Sequence, residues 1–255
     1  MENADHSTET GTATSSTETG TATSSTGTGT ATEPGRPSPD LAALARDALA
    51  LTGSARGPRV VLGLAGPPGA GKSTLARALV AEIGAAAAYL PLDGFHLSNA
   101  QLERLGLTSR KGSKPSFDVY GYVALLRRVL DDTATGLDIY VPDYDRTLHE
   151  PVAARHRVPP TARIVVTEGN YLACDLPGWR AARELMAACW YVDAPRDVRQ
   201  KRLVERQLAG GRGVTEARAW VADNDAPNGE LVEESRGRCE RILSTIGMDM
   251  FNWRQ

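Results

Sequence analysis

Within the nine residues Gly66-Pro67-Pro68-Gly69-Ala70-Gly71-Lys72-Ser73-Thr74, the first eight satisfy the pattern GxxxxGK[ST]. An apolar run, Arg59 to Ala65, stands directly before them, and a helical pattern, Lys72 to Ile83, follows. In the context of strand, loop and helix, such glycines let backbone N–H groups turn inward around phosphate oxygens, and the helix adds its partial positive N-terminus. A lysine placed as Lys72 is reaches the β- and γ-phosphates of a nucleotide, and a hydroxyl placed as that of Ser73 ligates Mg²⁺. The plainer alternative is a Gly-rich turn that only caps a helix.

Two carboxylates stand where strands end. Leu92-Asp93-Gly94-Phe95-His96 follows the strand candidate Ala87 to Leu92, which puts Asp93 beside the phosphate loop. A carboxylate there can take the proton of an acceptor hydroxyl and hold it in line with a γ-phosphate. An Asp-Gly pair is equally a common turn signal, and both readings stay open. The run ARIVVT ends in Glu168-Gly169-Asn170-Tyr171, where the carboxylate is placed to hold Mg²⁺ and Gly169 to let the backbone pass close to a ligand. Further on, Arg199, Arg202 and Arg206 fall at i, i+3 and i+7 of one helical pattern, before Gly210-Gly211-Arg212-Gly213. Guanidinium groups on a closing helix neutralise a transferring phosphoryl group; a solvated basic face is the bland alternative.

The elements that must position these groups alternate. Strand candidates at Arg59 to Ala65, Ala87 to Leu92, Ala162 to Thr167, Trp190 to Val192 and Arg241 to Ile246 are interleaved with helical patterns at 72–83, 119–130, 179–188, 196–208, 214–223 and 227–236. A further helix starts at the N-cap Asp40. The apolar runs suit strands buried on both faces, so the expectation is an α/β fold with a mostly parallel sheet and ligands at the carboxyl strand ends. Residues 138–160, rich in Pro, Asp, Arg and His, read as a hairpin and long loop over the cleft. Asn224-Asp225-Ala226-Pro227-Asn228 reads as a helix break and cap.

Composition narrows the classes. Residues 8–16, TETGTATSS, recur unchanged at 17–25, and residues 1–39 read as a disordered Ser/Thr/Gly-rich tail ahead of one domain over 40–255. A net charge of −2 offers no basic field for nucleic acid or an anionic membrane. No stretch approaches eighteen uninterrupted apolar residues, and the three cysteines, Cys174, Cys189 and Cys239, are spaced too widely for a zinc knuckle or a CxxC pair. The expectation is a cytoplasmic protein without a disulfide framework or a structural metal.

In their order and spacing, GPPGAGKST, LDGFH, YVPDYDRTLHEP, VVTEGNY and RLVERQLAGGRG resemble the P-loop kinases of the uridine kinase, bacterial-type pantothenate kinase and phosphoribulokinase family. The resemblance covers about residues 59–246 and implies a three-layer α/β sandwich with a five-stranded sheet, a small hairpin over the cleft and a helical lid. It implies ATP and Mg²⁺ as cofactors and a hydroxyl on a small metabolite as acceptor. Gly66 to Thr74 would bind nucleotide, Asp93 would be the base, and Glu168 would support magnesium and the acceptor. Arg202, Arg206 and Arg212 map onto the family's lid arginines. Tyr144 and His149 match the five-residue spacing of a Tyr and a His that contact the base in uridine kinases, and His96 is a further substrate candidate. RKGSKPSFD, Arg110 to Asp118, looks closer to the pantothenate kinase KGxPxxxD, with Pro115 one position late, so nucleoside, pantothenate-like and sugar acceptors all stay open. The partner is a small molecule, with a homo-oligomer also open; the competing function is an ATP-binding regulatory or slow ATPase module acting through a protein.

Because a Ser/Thr/Gly repeat contributes no apolar surface to a core, deletion of residues 1–39 is expected to leave both Tm and kcat unchanged. Thermal melts and steady-state rates of the full and shortened chains check this.

Overall fold

The computed structural model describes residues 40–53, 57–131 and 135–246. The tail expected over residues 1–39 lies outside the described residues.

In chain order the elements are α1 (Leu41–Ala50), β1 (Val60–Ala65), α2 (Lys72–Ile83), β2 (Ala87–Pro91), α3 (Asn99–Arg104), α4 (Val119–Asp131), β3 (Ile139–Asp145), β4 (Glu150–Val158), β5 (Ile164–Gly169), α5 (Trp179–Glu184), β6 (Ala188–Asp193), α6 (Arg196–Ala209), α7 (Val214–Trp220), α8 (Ala226–Glu233) and β7 (Arg241–Ser244). Every residue of β1, β2 and β5 is buried, as an apolar run without alternation requires. The five strands pair in the order β2-β5-β1-β6-β7, and each pairing is parallel. The strands expected from the sequence are all present, the last shortened to four residues.

Alternate residues of the strands feed two cores. Val60, Leu62, Leu64, Ile164 and Val166 pack with Leu44, Ala48, Leu75 and Leu79 of α1 and α2. Val61, Val165 and Tyr191 pack on the other face with Tyr122, Leu126, Trp179 and Val232 of α4, α5 and α8. Three layers follow from a sheet whose two faces are both apolar. The segment 138–160 forms a regular antiparallel hairpin, β3 with β4, with a register shift between Val141 and Asp143. The helix expected over 179–188 ends at Glu184, and α3 was not foreseen. Among the described residues no helix is long and apolar enough to cross a membrane.

One buried cation ties the layers together. Arg59 is 3% exposed. Its Nε donates to Ala162 O at 2.9 Å, its Nη1 to Val129 O at 2.8 Å and its Nη2 to Pro159 O at 3.1 Å. It thereby joins the end of α4 and the exit of the hairpin to the start of β1. Arg59→Met keeps much of the volume but strands buried carbonyls, so a loss of about 2–4 kcal/mol is expected. Urea unfolding should show a lower midpoint at an unchanged slope.

Candidate active site

Strand order explains why the chemistry gathers at one edge. Glu168 in β5 lies in register with Leu64 of β1 on one side and Pro91 of β2 on the other. The carboxyl ends of three adjacent parallel strands therefore deliver the phosphate loop, Glu168 and Asp93 to a single cleft. That cleft is about 1460 Å³ and is lined by Lys72, Ser73, Thr74, Asp93, Glu168, Arg202, Arg206 and Arg212 among others.

Within the phosphate loop, Gly69 and Gly71 adopt left-handed φ values of 78° and 96°. A Cβ on Gly69 would stand 2.8 Å from Arg199 O, so no other residue fits there. Lys72 opens α2, and its buried Nζ donates to Pro67 O at 3.0 Å and to Asn170 Oδ1 at 2.7 Å. Burial lowers its amino group to about 8, against the pull of Glu168 and Asp93. Glu168 is 3% exposed, and the Tyr89 hydroxyl donates to its Oε1 at 2.8 Å. Burial raises the Glu168 carboxyl and nearby Asp93 raises it further, while Lys72 and hydrogen bonds from Tyr89 and Ser73 oppose the shift. The Tyr89 ring is held between the Arg77 guanidinium at 5.2 Å and the edge of His156 at 5.1 Å.

The Asp-Gly pair is both turn and site. Asp93 sits in a short 3₁₀ turn, Leu92–Phe95, and a Cβ on Gly94 would meet Pro142 O at 2.3 Å, so the hairpin closes directly over that turn. Arg146, at the hairpin end, places Nη2 3.5 Å from Asp93 Oδ2. Gly169 lines the cleft, and its smallness also admits the turn that carries Asp93, since a Cβ there would meet Leu92 Cδ2 at 2.4 Å.

His96, Tyr144 and His149 all line the cleft. His96 stacks on Phe117 with centroids 4.0 Å apart and meets Tyr144 edge-on at 5.1 Å. Burial lowers its imidazole to about 4, so it is neutral at pH 7. The His149 carbonyl accepts from Lys111 Nζ and, at 3.2 Å, from Asn99 Nδ2, which ties the hairpin end to α3 and to the RKGSKPSFD segment. Lys111 lies 5.1 Å over the Tyr144 ring. Asp118 of that segment is occupied structurally, accepting from Gly121 N at 2.9 Å at the start of α4.

Of the arginines on α6, Arg202 donates to Gly69 O at 3.2 Å, and Arg206 stands 3.7 Å from Asp225 Oδ1. Arg212 lies 3.9 Å over Trp220 and donates to Glu216 Oε1 at 3.1 Å. The shared face read from the i, i+3, i+7 spacing does not hold for Arg199. That side chain is drawn to Ala194 O at 3.0 Å and to Glu233 of α8. The break expected at Asn224 to Asn228 is instead a π turn, Val221–Asp225, that runs from α7 into α8. It buries Asn224 and Asp225, and Asn224 Nδ2 donates to Lys111 O at 2.7 Å. Asn170, Tyr89 and Arg146 also touch the site and were given no role from the sequence. Only Asn170 carried a signal, as the residue after Glu-Gly at a strand end.

The donor set fits a magnesium nucleotide. Left-handed glycines form the phosphate cradle, a buried ammonium stands at its floor, and the Ser73 hydroxyl and Glu168 carboxylate are hard oxygen donors beside it. Among the described residues no group of three or more His, Cys, Asp or Glu could hold a metal ion. The architecture defines a P-loop protein of the phosphoryl-transfer class.

Comparison with known proteins narrows this. The profile of the Phosphoribulokinase / Uridine kinase family matches residues 61–218. A Schizosaccharomyces pombe protein named "Putative uridine kinase C227.14" is 34% identical over 202 residues, 74% of this chain and 84% of that one. The crystal structure of a "putative fructose transport system kinase" from Silicibacter sp. TM1040 superposes with a TM-score of 0.72 at 33% identity, covering 80% of this chain and 98% of that one. YFH7 from Saccharomyces cerevisiae shares the fold, with a TM-score of 0.67 at 21% identity over 80% of this chain and 98% of that one. The chain belongs to the phosphoribulokinase / uridine kinase family. It is a phosphotransferase with an alcohol group as acceptor, and family membership implies use of ATP.

The His96 shift has a measurable consequence. Its folded value of about 4 lies below the ordinary 6.5, so it stabilises the fold fully above pH 6.5 and loses that contribution as pH falls towards 4. Allowing for its partial exposure, the loss is on the order of 2 kcal/mol. Urea unfolding from pH 7 to pH 4 should show a shallower decline in His96→Gln than in the wild type.

Proposed function

We propose that the protein transfers the γ-phosphoryl group of ATP, with Mg²⁺, to a hydroxyl of a small polar metabolite, of the nucleoside, sugar or pantothenate-like kind. The observation that carries this reading is the convergence of Asp93, Lys72 and Glu168 on one cleft at adjacent strand ends. In it, the loop from Gly66 to Thr74 binds the phosphates and Lys72 puts its charge against the β- and γ-phosphates. Bound Mg²⁺ would neutralise phosphate charge, with Ser73 and Glu168 as the residues that hold it. Asp93 accepts the proton of the acceptor hydroxyl and keeps that oxygen aligned. Arg202, Arg206 and Arg212 sit on the segment that closes over the phosphates, where their guanidinium groups stabilise charge as transfer proceeds.

The acceptor wall supports a polar substrate. His96, Tyr144, Arg146, His149 and Lys111 surround the approach to Asp93, and the neutral His96 ring offers hydrogen bonds without charge. The names of the relatives, a uridine kinase and a fructose transport system kinase, support nucleoside and sugar acceptors.

The test is phosphorylation of a panel of nucleosides, sugars and pantothenate with labelled ATP, comparing wild type with Asp93→Asn. ATP turnover should rise with one acceptor class. In Asp93→Asn, kcat should fall by about 10²–10⁴ while the KM for ATP stays unchanged. ATP hydrolysis that no acceptor accelerates, or a variant that loses ATP affinity and keeps kcat, would sink the reading.

A further inference from the structure

All three cysteines of the chain meet on one side of the sheet, although 15 and 50 residues separate Cys189 from Cys174 and from Cys239. Cys189 in β6 is fully buried, Cys174 is nearly so, and Cys239, just before β7, is partly exposed. Cys239 Sγ lies 3.9 Å from Cys189 Sγ. The backbone fixes this approach. Glu240 N donates to Cys189 O at 3.1 Å, and Cys189 N donates to Glu240 Oε2 at 2.7 Å. Cys239 is thus one residue from the position bonded to Cys189. Adjacent strand backbones stand about 4.7–4.9 Å apart, inside the Cα range that a disulfide spans. Bond formation at about 2.05 Å asks the sulfurs to move together by about 2 Å, within reach of side-chain rotation and a small shift of the segment before β7.

We propose that Cys189 and Cys239 form a reversible oxidation site, at which a hydroperoxide converts the two thiols into an intramolecular disulfide. Cys239 reacts first because it alone of the pair is reached by solvent. Its thiol is held below the usual range by its hydrogen bond with Cys189, and Arg183 favours the thiolate while burial and Glu240 oppose it. The Cys239 thiolate attacks one peroxide oxygen, an S–O bond forms, the O–O bond breaks, and the departing oxygen takes a proton as water or an alcohol. The Cys189 sulfur then attacks the sulfenic sulfur. The S–S bond forms, the S–O bond breaks, and water leaves with the Cys189 proton. The two sulfurs together lose two electrons and the peroxide gains them. A dithiol reverses the step by exchange.

The crosslink has a defined reach. The loop it closes, residues 189–239, contains α6, α7 and α8 and therefore every arginine of the lid. Covalent closure of a loop of that length restricts the unfolded chain, so the oxidised protein should melt higher than the reduced protein.

The test uses the full chain, reduced, desalted and treated with hydrogen peroxide, then denatured and alkylated without reductant. The expected result is a monomer lighter by two hydrogens, one alkylatable thiol at Cys174, and a linked peptide pair carrying Cys189 and Cys239. Dithiothreitol should restore the starting mass and the lower Tm. Cys239→Ser and Cys189→Ala should each abolish the change, whereas Cys174→Ala should keep it. Should a variant fail to fold, the wild-type peptide map decides alone. Sulfinic acid on Cys239 with Cys189 still alkylatable, a disulfide-linked dimer, a link through Cys174, or an unchanged mass would each overturn the proposal.

Discussion

A buried ammonium and a buried carboxylate in one another's field, Lys72 and Glu168, set the terms for the rest of the fold. Neither ion is stable alone in a dry interior, and each keeps company that offsets its desolvation. Lys72 has two oxygen acceptors and the field of Glu168 and Asp93, and Glu168 has the hydroxyls of Tyr89 and Ser73. These partners come from the loop after β1, from α2, from β2 and the turn after it, and from the end of β5, so the arrangement can exist only where those strands end side by side. An all-parallel sheet supplies that edge, because its crossovers return each chain end to the same side. The strain that a phosphate cradle requires is carried by residues that can carry it, Gly69 and Gly71.

The two walls of the cleft are attached to this floor in different ways. The hairpin is held by several contacts: Gly94 beneath Pro142, His156 against Tyr89, and Lys111 and Asn99 on the His149 carbonyl. The α6–α8 wall is anchored by Arg202 on Gly69 O at 3.2 Å and by Asn224 on Lys111 O at 2.7 Å, while Arg206 and Arg212 make contacts within the wall. Arg206 and Asp225 stand 3.7 Å apart, and Arg212 rests on Trp220 rather than on the loop. In the proposed reaction, Arg206 and Arg212 would exchange these contacts for phosphate oxygens on closure.

The floor of the site was legible in the sequence because its signals are local. An apolar run, a glycine-spaced loop and a carboxylate at a strand end each occupy a few consecutive residues, and burial on both faces leaves little choice of element. The walls were less legible because their contacts are distant. Helix α3 has little apolar periodicity of its own, and its first N–H is received by the Glu150 carboxylate from the hairpin, at 3.0 Å. Arg199 shared a spacing with Arg202 and Arg206, but Glu233, 34 residues away, claims its side chain. Pro227 marked a break by rule, yet a π turn widens the helix just before it and the chain continues. The cysteine spacings were silent on proximity, since β6 and β7 are joined by the long segment that carries α6, α7 and α8.

This division between floor and walls bears on specificity. In the proposed function the phosphate loop, Lys72 and Glu168 would face groups that every nucleotide triphosphate shares, and the burial of Lys72 and Glu168 leaves little room for substitution without losing the compensation each gives the other. The acceptor meets side chains from the turn at Asp93, the segment around Lys111 and the hairpin, where Tyr144, Arg146 and His149 are at least partly exposed. Exchanging those side chains alters a surface rather than a buried charge balance, which costs the fold little. Under the proposed function, acceptor choice could therefore change in the walls while the floor stays fixed. Arg146 is the point where the two meet, since it belongs to the hairpin and stands 3.5 Å from Asp93: in the proposed reaction, an acceptor that displaced it would free the carboxylate for the hydroxyl proton at the same moment.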